Sequence, residues 1–141
     1  MSQELAWEGT ARGRIVEFGV REVESGKDEA YLAAIRQLQC LKCGGEPSEA
    51  AHVRMQSGTY NKRSGMGMKP DDRYALPLCT ACHRLDRDAQ HQLGERCFWF
   101  NLGINPLFVA QSLYAKRGDL VAMRAVIFNA IATRDLKEQH S

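Results

Sequence analysis

The chain is 141 residues long, 44% apolar and carries a formal net charge of +2, which fits one domain with a core of ordinary size and leaves no demand for a second. So small a charge does not mark a nucleic-acid binder by itself, and no segment approaches the roughly 20 uninterrupted apolar residues of a membrane span. The amino-terminal stretch "MSQELAWEG" has neither a basic n-region nor an apolar h-region, so the expected location is the cytoplasm, with no membrane partner.

In chain order, "GTARGRIVEFGVREVESG" alternates around Ile15, Phe18 and Val20 and predicts a short strand or hairpin within an extension spanning residues 1–27. Asp28 reads as an N-cap. The repeat of Tyr31, Leu32, Ile35 and Leu38 that follows predicts an amphipathic helix leading into Cys40. "SGTYNKRSGMGMKPDD" is rich in Gly and Ser with basic residues interleaved, the composition of a mobile loop, and "YALPLC" returns as a short strand. Beyond Trp99, Asn105-Pro106 is an N-cap with a first-turn proline, and Gly118 ends that helix. Asp119 caps another helix running to about Lys137. Its stripe of Leu120, Met123, Val126, Ile127, Ala130 and Ile131 needs a cover, either the body of the protein or a second copy, so a homodimer through the C-terminal helices is expected if the body does not supply one.

Four of the five cysteines form Cys40-x-x-Cys43 and Cys79-x-x-Cys82. Two residues between thiolates let both sulfurs of a tight knuckle reach one tetrahedral ion at about 2.3 Å, and two knuckles close a structural zinc site. A thioredoxin-like redox pair would need one such motif, not two. Cys97, among aromatics in "RCFWF", reads as a buried apolar thiol. Between and beside the knuckles stand His52, in "EAAHVRM", and His83, directly after Cys82. Taken singly, His52 reads as a hydrogen-bonded core residue and His83 as a substitute zinc ligand. Taken together on a zinc-braced hairpin, they suit a one-metal nuclease site, where a neutral imidazole takes a proton from water and a divalent ion stabilises the scissile phosphate.

The ordered set "CLKCGG", "EAAHVR", "GMGMKPDD", "ALPLCTACHR" and "HQLGE" resembles the HNH (His-Me finger, ββα-metal) endonucleases, especially the phage and prophage group related to the RecA-dependent recombination-enhancement nuclease. The resemblance implies an α+β fold: a zinc-braced ββα-metal core over residues 28–100, with an N-terminal helix and a C-terminal segment of two helices over residues 101–141. It also implies that His52 is the general base, that His83 binds a catalytic Mg²⁺, Mn²⁺ or Zn²⁺, and that Asp72 stands near the Asn position that braces the hairpin. Cys40, Cys43, Cys79 and Cys82 would hold structural Zn²⁺, and the setting would be a bacterial host cell, with DNA and a RecA-type filament as partners.

Two departures bear on the site. Ala51 stands where many relatives of this kind place an acidic or histidine ligand. His91 lies eight residues beyond His83, about 12 Å along a straight helix, so either a bend at "RLDRD" brings His91 back as second ligand or Asp86 or Asp88 takes that place.

No acidic residue falls between Glu49 and Asp71, whereas Arg54, Lys62, Arg63 and Lys69 do; with Arg84 they are candidates to follow a phosphate backbone. Pairing of several arginines with nearby aspartates is the competing reading. The expected function is metal-dependent DNA hydrolysis with little sequence preference. The alternative is a non-catalytic zinc-ribbon module that binds nucleic acid or protein. A zinc deaminase is disfavoured, because "AAHVRM" lacks the H-x-E glutamate.

Overall fold

The computed structural model describes residues 27–55 and 71–139. The expected N-terminal strand and the basic-loop residues Lys62, Arg63 and Lys69 lie outside them. Within the described residues the architecture mixes helices with one small antiparallel sheet.

Helix α1 (Glu29–Ile35) starts where the sequence predicts, with the Asp28 carboxylate accepting from the backbone N–H of Tyr31. Such a cap is worth about 1 kcal/mol. Tyr31, Leu32, Ile35 and Leu38 all point inward. The chain then turns through Cys40–Cys43, where Gly44 adopts a φ of +78° that residues with a Cβ rarely take. This lets its N–H reach the carbonyl of Cys40 at 2.8 Å. Strand β1 (Glu49–His52) pairs with β2 (Ala75–Leu78) in a register that sets Glu49 opposite Leu78 and His52 opposite Ala75. A 3₁₀ turn, Asp72–Tyr74, leads into β2, and a π-helical turn, Ala81–Leu85, leaves the second knuckle.

Two short helices follow, α2 (Gln90–Leu93) and α3 (Glu95–Leu102), separated at Gly94. Each is too short to show a clear 3.6-residue period in the sequence. Phe98 and Trp99 of α3 are buried, whereas Cys97 faces solvent. This corrects the expectation of a buried thiol: the helical turn of about 100° per residue that buries Phe98 and Trp99 carries Cys97 outward.

The last pair is α4 (Pro106–Ala115) and α5 (Leu120–Gln139). The side chain of Asn105 accepts from the N–H groups of Leu107 and Phe108, and that of Asp119 from Ala122. Met123 and Ile127 are fully buried, with Leu120, Val126, Ala130 and Ile131 packed against the same core. Met123 and Ile127 thus dock the stripe on the body of the chain, and Leu120, Val126, Ala130 and Ile131 are covered only in part. Among the described residues, the large apolar side chains that α5 leaves exposed are Val121 and Phe128, at 77% and 65%. Met123→Ala is therefore expected to lower stability by about 2–5 kcal/mol, as for a buried methionine, while Val121→Ala should stay within about 0.5 kcal/mol. Urea melts of the two variants check this, and equal midpoints would show that α5 is not docked as described. No helix of the described residues is long and apolar enough to cross a membrane.

Candidate metal centre and histidine pairs

The sulfurs of Cys40, Cys43, Cys79 and Cys82 all lie within 4.8 Å of one another. Four thiolates at about 2.3 Å from one tetrahedral ion sit about 3.8 Å apart, and the Cys43–Cys79 separation is 3.6 Å. The backbone is already turned to serve sulfur. N–H groups of Lys42 and Cys43 point at Cys40 Sγ, and that of Gly45 points at Cys43 Sγ. The first knuckle is stitched to the sheet by the Leu41 N–H bond to the Pro77 carbonyl. With no cation beside them the thiolate forms are disfavoured: burial pushes the pKa of Cys82 far above its usual range and that of Cys43 upward. The donor set fits zinc, which takes all four as thiolates, and these four cysteines could hold one Zn²⁺.

From this brace the chain positions two histidine groups. In the 3₁₀ turn before β2, Asp72 receives the ring of His52, with Nε2 2.8 Å from Oδ1, while its Oδ2 accepts from the backbone N–H of Asp28 at 2.7 Å. An ionised carboxylate only accepts, so the proton of a neutral His52 sits on Nε2 and the lone pair on Nδ1. Asp72 thus joins the hairpin to the start of α1 as well as orienting His52.

At the other end of β2, His83 Nδ1 lies 2.8 Å from Glu49 Oε1. Burial holds the pKa of His83 below the ordinary histidine value, against the pull of the Glu49 hydrogen bond. Glu49 also accepts from Thr80 Oγ1 at 2.7 Å and from Arg84 at 3.2 and 2.8 Å. The Arg84 guanidinium is the main reason its carboxyl is lowered to about 2. Beyond His83 the π-helical turn ends at Asp86, Ala89 is extended, and α2 restarts with His91. This bend brings the rings of His83 and His91 to 4.5 Å between centroids. The two rings meet edge to face, with 66° between their planes. Asp86 is exposed at the bend.

The predicted residues therefore come together as two pairs, His52 with Asp72 and His83 with His91. Among the described residues no hydrogen bond, ion pair or ring contact joins one pair to the other. Glu49 was not singled out from the sequence. Its signal was present in the "EAAH" run, three residues before His52, but the contact crosses from β1 to the turn after β2, and spacing along the chain does not reveal it. Of the arginines, Arg84 is engaged by Glu49 and Arg73 by Asp71 at 3.1 Å. Arg54 is exposed, and its backbone N–H bonds to Glu95 at 2.7 Å.

Residues 21–98 match the model of the family described as "Protein of unknown function (DUF968)". The match covers more than half of the chain, and the protein belongs to that family. All four cysteines, Glu49 and both histidine pairs fall inside it, while α4 and α5 fall outside. No curated protein and no solved structure matches the chain.

Proposed function

We propose that this protein is a metal-dependent DNA endonuclease of the HNH (ββα-metal) type, braced by a structural zinc, with phage or prophage recombination as its setting and a RecA-type filament as a partner to test. The observation that supports the reading most is the His83–His91 pair: two imidazoles 4.5 Å apart on the turn that leaves a four-cysteine cluster. A divalent ion on that pair would act as a Lewis acid toward a phosphodiester oxygen. His52, held through Nε2 by Asp72, has Nδ1 available to take a proton from water. Arg54 and the basic residues of the 57–70 segment would meet the phosphate backbone, which implies affinity that falls steeply with salt and little sequence preference.

The test is nicking of supercoiled plasmid, a readout of a single cut, with Mg²⁺ or Mn²⁺ and with chelator. His83→Ala is expected to lose activity through metal affinity, so raising Mn²⁺ should recover part of it. If the wild-type protein leaves plasmid, branched and RecA-coated DNA intact at every metal concentration, the zinc-ribbon binding module becomes the better reading.

A further inference from the structure

Glu49 is set apart from an ordinary surface ion pair by the number and origin of its partners. Oε1 accepts from His83 Nδ1 at 2.8 Å and Arg84 Nε at 3.2 Å. Oε2 accepts from Thr80 Oγ1 at 2.7 Å and Arg84 Nη2 at 2.8 Å. Four donors from one turn thus converge on one carboxylate from the neighbouring strand. Arg84 alone would complete a fork-to-fork pair. Thr80 and His83 are additional, and His83 is the residue whose ring stands against His91. Glu49 is itself fixed, because its backbone is paired opposite Leu78 at the end of the hairpin.

A carboxylate bound to Nδ1 has a chemical consequence for the other ring nitrogen. The carboxylate cannot donate, so the shared proton belongs to Nδ1 and the lone pair of a neutral His83 is on Nε2. In water the neutral ring has no such partner to choose the tautomer. We infer that Glu49 is a positioning residue for metal binding, holding His83 as the Nδ1–H tautomer so that Nε2, with His91 beside it, is presented to a divalent transition ion. The inference rests on the proposed metal role of the His83–His91 pair. Carboxylate support of this kind, behind a ligating imidazole, is commonly worth 10–100-fold in metal affinity. It also accounts for why a strand without an acidic residue at position 51 still brings a carboxylate to the site: Glu49 supports the ligand from behind instead of binding the ion.

The experiment has one readout that needs no second metal. Long-range ¹H–¹⁵N correlation spectra of the zinc-loaded full chain, with His83 assigned by comparison with His83→Ala, are expected to show the Nδ1–H tautomer in the wild type. Glu49→Gln, whose amide oxygen can still accept from Nδ1, should keep it, and Glu49→Ala should lose it. Calorimetric titration of the same zinc-loaded proteins with Ni²⁺, which suits imidazole ligands, should then show affinity reduced roughly 10–100-fold in Glu49→Ala and much less in Glu49→Gln. An Nε2–H tautomer in wild-type His83 would overturn the inference, even if Glu49→Ala failed to fold. So would Ni²⁺ binding that is lost in His83→Ala and His91→Ala but unchanged in Glu49→Ala, an outcome that leaves the metal reading standing. Wild-type protein that binds Ni²⁺ no better than His83→Ala would instead remove the metal reading, and this inference with it.

Discussion

Cys79→Ala protein is expected to lose both its zinc and its cooperative melting transition. The two knuckles belong to different parts of the chain, one after α1 and one after β2, and their sulfurs meet in a single cluster. A structural zinc of this kind contributes its binding free energy directly to folding, about 10–16 kcal/mol in small zinc modules at neutral pH. That exceeds the whole stability of many domains. Loss of the Cys79 thiolate should therefore matter more than any core truncation, including Met123→Ala. Metal analysis by mass spectrometry together with a thermal melt decides the matter: soluble Cys79→Ala that melts cooperatively and retains one zinc per chain would exclude the clasp. Prolonged chelation of the wild type should reproduce the variant, and Zn²⁺ added back should restore the melt.

His52→Ala should behave differently at every step. The ring is held by one hydrogen bond to Asp72 and is not part of the cysteine cluster, so folding, zinc content and Ni²⁺ binding at the His83–His91 pair should persist. Plasmid nicking should fall by roughly two to four orders of magnitude, the usual worth of a positioned general base. Asp72→Asn should fall less, because an amide can still orient the ring, although its loss also touches the Asp28 N–H bond that ties the hairpin to α1. Since the two histidine pairs make no mutual contact, the double variant His52→Ala/His83→Ala is the sharper test. Residues serving one reaction fail as a unit, so the double should be no slower than the worse single. Nicking by His52→Ala at the wild-type rate would remove that residue from the chemistry.

The parts of this protein most legible in its sequence are those set by local rules. Asp28, Asn105 and Asp119 announce their helices because a side-chain oxygen beside the first turn acts within three residues, and each cap is made in the structure. The knuckles are legible because thiolate spacing is itself a geometric constraint. What the sequence could not yield is contact between distant segments. The stripe on α5 looked the same whether a partner or the body of the chain would cover it. The gap between His83 and His91 depended on whether the helix runs straight, and the turn at Asp86–Ala89 was visible only as the polar "RLDRD". Glu49 is the clearest case. Its partners are 31 to 35 positions away, and nothing in the local pattern distinguishes it from a solvated strand end.

One contact ties the carboxyl-terminal helix to the first knuckle and sets an order of events during synthesis. Arg134 donates to the carbonyls of Leu41 and Lys42, both at 2.7 Å, across 93 and 92 positions of chain. On the ribosome all four cysteines emerge before Arg134 does, so metal capture can precede the arrival of the group that takes those carbonyls from water. A nascent chain stalled with its four cysteines outside the ribosome and Arg134 still inside should already be able to hold zinc, while the Leu41 and Lys42 carbonyls stay hydrated until the last helix is released.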